Sequence, residues 1–191
     1  MVRTLSRYLA AAALVMSSTA ATATAPQQPQ PLMFVAELQG KFVAPGAVET
    51  AATGKAVAVL VGNRFMVNGS FSGLSSPLRD LEAKPTDPGV HLHRGAAGET
   101  TPYFHGLQVQ LNADGRSGIF FGAVTLDAAQ QDLLLTGRTY VDIHTVKFGP
   151  GEVRDQWRPL NPAAAEKAHT ALVHERGDTG DAPAATGHCH R

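Results

Sequence analysis

Apolar residues occur along this chain in short runs that often alternate with polar ones, and most runs end at turn-forming residues. The runs are Met33 to Leu38, Ala56 to Val61, Phe65 to Phe71, Leu78 to Ala83, Val90 to His93, Leu107 to Leu111, Ile119 to Thr125, Arg138 to Thr145 and Glu152 to Arg158. Short strands at this spacing predict an all-β antiparallel sandwich or barrel. The breaks carry turn chemistry: Gly62-Asn63 and Asn68-Gly69 supply positive φ, Asp87-Pro88-Gly89 suits a turn, and Asn112-Ala113-Asp114-Gly115 suits a hairpin loop. One segment, Leu126 to Leu135, reads as a short connecting helix, with Asp127 as N-cap, Gln130 three residues on and Gly137 beyond its end.

The two ends have other patterns. Arg3 and Arg7 precede an apolar run from Leu9 to Met16 and then small residues, the layout of a secretory signal. That run is shorter than the roughly 20 apolar residues a membrane-spanning helix needs. Cleavage is expected after Ala23, since cutting after Ala25 would leave Pro26 at the new terminus. The expected organisation is therefore a signal peptide over 1–23, a Pro/Gln-rich spacer over 24–32, a β domain over 33–160, and an Ala-rich, then flexible, extension over 161–191. Within that extension Ala163 to Glu175 is a candidate helix. Export places the mature chain outside the cytoplasm, periplasmic or secreted, with no membrane anchor once the signal is removed.

Composition narrows the partners. Sixteen Lys and Arg balance sixteen Asp and Glu with no basic block, which gives no electrostatic support for binding nucleic acid or an anionic membrane. The single cysteine, Cys189, excludes an intramolecular disulfide, so packing, hydrogen bonds or a metal must supply stability. No Ser-His-Asp arrangement, phosphate loop or paired-carboxylate hydrolase motif is present.

The eight histidines are clustered. His91 and His93 form a His-x-His on one candidate strand, where residues two apart share a face about 7 Å from each other and can turn both rings toward one ion. His105 follows shortly. In Thr139 to His144, Val141 and Ile143 alternate with Tyr140, Asp142 and His144, so His144 shares a face with Asp142 and not with the core. A strand histidine is ordinarily exposed or hydrogen-bonded, and spacing alone does not make these strands neighbours.

Several segments in order resemble the CHRD domain, a family first described in chordin and also found in bacterial secreted proteins. They are Phe34 to Gly40, Thr53-Gly54-Lys55-Ala56, Val90-His91-Leu92-His93-Arg94-Gly95, Leu133 to Gly137, Thr139 to Thr145 and Gly151-Glu152-Val153-Arg154. Asp155 stands where the family often has glycine, and the early loop keeps only Pro45 of its pattern. The resemblance implies an immunoglobulin-like Greek-key β-barrel with a more distant likeness to copper-zinc superoxide dismutase. Gly89 to His93 is similar to the start of the dismutase copper site, and Gly137 to His144 to a later strand ending in a copper ligand; His105 is a looser match to the bridging histidine. No cluster follows that would complete a zinc site.

The site this implies is copper, with zinc second, held by His91, His93 and His144, with His105 as a fourth ligand. Asp142, Glu152, Thr145 or a backbone carbonyl would pair the rings' other nitrogens. Arg154 suits an anion or an ion pair with Glu152 or Asp155, and the tail's His188-Cys189-His190 is a soft ligand set for copper(I) or zinc. Trp157 and Phe120-Phe121 read as packing residues. Three functions stay open: metal binding or handling, a copper-dependent dismutase-like enzyme, and a metal-free module binding a protein or matrix partner.

Overall fold

The structure, a computed structural model, describes residues 30–79 and 89–177. The signal segment, most of the spacer, the run from 80 to 83, the Asp87-Pro88 turn and the His188-Cys189-His190 tail lie outside the described residues. The strands are β1 (Leu32–Gln39), β2 (Thr53–Val61), β3 (Arg64–Ser72), β4 (Val90–Arg94), β5 (Tyr103–Gly106), β6 (Gln108–Leu111), β7 (Gly118–Thr125), β8 (Thr139–Ile143), β9 (Val153–Gln156) and β10 (Arg158–Pro159). Two α-helices, α1 (Ala128–Leu135) and α2 (Pro162–Glu175), and one 3-10 turn (Gly40–Phe42) accompany them.

All strand pairings are antiparallel, in the order β5-β4-β8-β9-β1-β2-β3-β7-β6, with β10 also pairing with β1. The two ends of this path, β5 and β6, are separated in sequence only by the buried Leu107, so the sheet nearly closes into a barrel. Strands β4 to β7 follow one another around the wall and β8 returns beside β4, a Greek-key connection. That return is what brings the His-x-His strand next to the strand leading into His144.

Alternation decides which side chains enter the barrel. Along β2, Gly54, Ala56, Ala58 and Leu60 are buried, while Lys55, Val57 and Val61 are exposed. The small residues of β2 leave room for large ones opposite. Phe34, Phe65 and Trp157 form a chain of edge-to-face contacts, with centroids 5.9 and 5.5 Å apart.

Turn and cap chemistry is mostly where expected. Gly62 has φ 58 at the β2–β3 turn, and Gly115 has φ 64 in the β6–β7 loop. The Asp127 carboxylate accepts from the Gln130 N–H while the Gln130 side chain accepts from the Asp127 N–H, a reciprocal box that fixes the start of α1. The alanine-rich segment forms α2, capped by Asn161 and seated on α1 through a 2.7 Å contact between His169 Nε2 and Asp132 Oδ1.

The candidate helix from Ala163 to Glu175 is present as α2, which packs on α1. Three differences from the sequence reading have physical causes. Strand β5 matches none of the apolar runs, because its four residues have no apolar alternation of their own and gain their bonds from β4. Asn68-Gly69 is no turn but the middle of β3, where glycine leaves space for the Phe120 ring packed over it. Of the Phe120-Phe121 pair only Phe120 enters the core; Phe121, one residue on, points outward and is 37% exposed.

A Cβ added at position 69 would overlap the Phe120 ring. Gly69→Ala is therefore expected to destabilise the domain by about 1–3 kcal/mol, the usual range for overpacking, measured by denaturant unfolding.

Candidate metal centre

Strands β4 and β8 lie side by side with His91 opposite Asp142 and His93 opposite Tyr140. Their inward residues, Val90, Leu92, Val141 and Ile143, are fully buried in the core. The alternate positions place His91, His93, Tyr140 and Asp142 together on the outer face of the barrel. His144 stands one residue past β8 and is held there by its N–H, which donates to the Gly89 carbonyl at 2.8 Å.

An outer face is normally wet, but this one is covered. His91, His93 and Asp142 are only 4%, 6% and 4% exposed. The Tyr103 ring stacks on His91 with centroids 4.4 Å apart, and Tyr140 stacks on His93 at 4.5 Å and nearly parallel. Thr101 and Pro102, which lead into β5, border another side. A cavity of about 240 Å³ reaches the three imidazoles and is lined also by Arg79, Thr101 and Tyr103.

One nitrogen from each of His91, His93 and His144 and one oxygen from Asp142 lie within 4.8 Å of one another. Donors bound to a single ion at about 2.0–2.1 Å are at most about 4 Å apart, so a contraction of less than about 1 Å would gather this set around one ion. Asp142 Oδ1 is 3.0 Å from His93 Nε2, 3.0 Å from His144 Nε2 and 3.9 Å from His91 Nδ1.

The far nitrogens of two rings are already assigned. His93 Nδ1 lies 2.8 Å from the Thr101 carbonyl and His144 Nδ1 lies 2.6 Å from the Gly149 carbonyl. A carbonyl oxygen only accepts, so both Nδ1 atoms carry hydrogen and donate. In the neutral rings each Nε2 then presents a lone pair to the pocket, beside a carboxylate oxygen that also has only lone pairs to offer. Such a grouping is stable only with positive charge among its members, a proton or a metal ion. His144 Nε2 is buried without a hydrogen-bond partner among protein atoms, because its close approach to Asp142 is off the line a hydrogen bond requires. These residues therefore fit a metal ion, with the two backbone carbonyls fixing ring tautomer and orientation.

Electrostatics agree. Burial acts to raise the Asp142 pKa, but contact with His144 and His93 and their charge outweigh it and hold the carboxyl at about 2. Burial pulls His144 down, yet the adjoining carboxylate outweighs it and leaves the imidazole above its ordinary value of 6.5. In the metal-free chain, Asp142 therefore contributes about 2 kcal/mol that is present above its ordinary value near 3.8 and lost as pH falls through about 2. His144 contributes stability present below 6.5 and lost as pH rises through its raised value. The metal-free chain is expected to be most stable between about pH 4 and 6.5, measured as ΔG of unfolding across pH.

His105 is not in this group. It stands opposite Leu92, whose side chain is in the core, so its ring lies on the other side of the wall, near Gly122 of β7. Burial lowers its pKa. Glu152 and Thr145 do not pair the rings either: Glu152 accepts from the Thr50 and Thr145 hydroxyls and from the Ser75 N–H. Among the described residues Arg154 forms no ion pair with Glu152 or Asp155; it donates to the Glu99 and Ala96 carbonyls, and Asp155 pairs with Arg158 instead.

Alternation along β8 had already put Asp142 on the face of His144, and the structure brings it into the donor set itself. The carbonyls of Thr101 and Gly149 were beyond sequence reasoning, because a backbone acceptor has no residue-type signal.

No helix among the described residues is long and apolar enough to cross a membrane. Comparison with curated proteins and with solved structures found no match. The family model for the CHRD domain matches residues 34–157, from the buried Phe34 of β1 to the buried Trp157 and across every strand that carries the His/Asp group. The chain belongs to the CHRD domain family.

Proposed function

We propose that this CHRD-domain chain is exported and binds one divalent transition-metal ion, copper(II) in preference to zinc, through His91, His93, His144 and Asp142. The observation that carries the reading is the convergence of one nitrogen from each of His91, His93 and His144 and one Asp142 oxygen within 4.8 Å of one another, with the His93 and His144 Nδ1 atoms held on the Thr101 and Gly149 carbonyls so that both Nε2 atoms face the pocket. Imidazole suits both metals, and the affinity order for a site of unconstrained geometry places copper(II) above zinc. The signal-like terminus and the family's occurrence in secreted proteins support an extracytoplasmic location, and metal binding or handling is the function.

Calorimetric titration of the mature chain with copper(II) and with zinc tests this. One equivalent of copper(II) is expected to bind more tightly than zinc, and affinity is expected to rise with pH because the ion must displace a proton from His144. Binding no stronger than that of a tail-truncated His91→Ala control would reject the metal reading and leave a metal-free extracellular module. The cavity bordering the three rings favours a second reading, copper-dependent dismutase-like chemistry, because it gives a small molecule access to the group. Dismutase activity after copper loading, lost in His144→Ala, would support that reading, and its absence in the copper-loaded protein would reject it.

A further inference from the structure

Arg154 is 4% exposed, yet it has no carboxylate partner among the described residues. Its guanidinium lies over Tyr140, with Cζ 3.3 Å from the ring centroid. The opposite face of the same tyrosine stacks on His93. Two further contacts of the guanidinium reach the segment from Gly95 to Pro102: Nη1 donates to the Glu99 carbonyl at 2.6 Å and Nη2 to the Ala96 carbonyl at 3.4 Å. That segment supplies the Thr101 carbonyl that receives His93 Nδ1–H, and the Thr101 N–H donates to the Tyr140 hydroxyl at 3.3 Å.

These contacts close on themselves. Arg154 touches the ring that packs His93 from the side and ties down the loop whose carbonyl holds His93 at its far nitrogen. A planar fork with several donors can cap two carbonyls and stack on an aromatic face together, which a lysine ammonium cannot. One buried cation thus contacts both groups that restrain the His93 imidazole, the Tyr140 ring and the segment carrying Thr101, and forms no ion pair with Asp142.

We infer that Arg154 is a positioning residue for the metal centre: acting through Tyr140 and the Gly95–Pro102 segment, it holds the His93 ring with Nδ1–H on the Thr101 carbonyl and Nε2 directed into the site. The inference rests on the metal-binding reading for its consequence, but the ring geometry is a property of the metal-free chain and is measured without any metal.

The experiment compares wild type with Arg154→Gln, Arg154→Lys and Tyr140→Phe. In the metal-free proteins, nitrogen-edited NMR reads the His93 Nδ1–H, which in wild type is expected as a resolved, slowly exchanging signal. Arg154→Gln is expected to lose that signal to solvent exchange, and Arg154→Lys to weaken it, because a lysine retains charge without the fork. Tyr140→Phe keeps the stack and removes the hydroxyl that pairs with the Thr101 N–H and with Thr101 Oγ1, so an intermediate signal is expected. Copper(II) titrations of the same set should show about a 10–100-fold loss of affinity in Arg154→Gln, the range for removing an outer support of a ligand, and a smaller loss in the other two. If Arg154→Gln does not fold, Arg154→Lys and Tyr140→Phe decide the matter by the same two readouts. A lower melting temperature with the His93 signal unchanged would make Arg154 structural only and overturn the inference. A wild type that binds no copper would reject the metal-binding reading, while the NMR comparison would still decide the positioning role.

Discussion

Replacing His144 by alanine is expected to weaken copper(II) binding by more than about 100-fold, beyond the range for loss of an outer-shell partner, because the proposed site would lose one of its own donors. The side chain sits just past the end of β8, with its Nδ1 on the Gly149 carbonyl and its Nε2 buried beside Asp142. His105→Ala is the matched control. It removes the nearest other imidazole in sequence, but from the opposite side of the wall, so copper affinity should change by less than about twofold. Titration calorimetry on both variants checks the pair. Equal losses would place the ion elsewhere than in the pocket of His91, His93, Asp142 and His144.

The largest expected effect on stability is at Trp157. This side chain is fully buried and meets Phe65 edge to face at 5.5 Å, and the residue follows β9 directly, with its backbone N–H donating to the Thr139 carbonyl at 2.9 Å. Trp157→Ala leaves a cavity in the aromatic chain and is expected to cost about 3–5 kcal/mol in denaturant unfolding. A domain with typical stability of about 5–15 kcal/mol would be left close to unfolding. Trp157→Phe should cost less, since it keeps an aromatic ring and removes an indole N–H that is buried without a partner among protein atoms. A loss under about 1 kcal/mol in Trp157→Ala would mean that Trp157 is not a keystone of the core.

Most elements were legible because each is specified by neighbours in sequence. Eight of the nine runs read as strands lie on strands of the barrel, with ends shifted by a few residues; the run at Leu78 retains one bridge, from Leu78 to Thr145, and its later residues lie outside the described residues. The α1 capping box was readable from two residues three apart. Gly69 misled because glycine serves both turns and close approaches, and only the position of Phe120 tells them apart.

What the sequence determined by itself is the side of each strand that a residue occupies, since side chains alternate with period two whatever the strand pairs with. It therefore placed His144 with Asp142, away from Val141 and Ile143, and put His91 with His93. Only the tertiary structure decided that β8 returns beside β4, which turns two separate polar faces into one pocket. It also decided that His105, on the partner strand β5, faces the core side, because that depends on register: His105 stands opposite Leu92, not opposite a histidine. The cover over the pocket and the two carbonyls that orient the rings are likewise long-range products, made by loops whose residues carry no pattern of their own. Periodicity is a local property of the chain, whereas pairing and register are settled by the whole barrel packing at once.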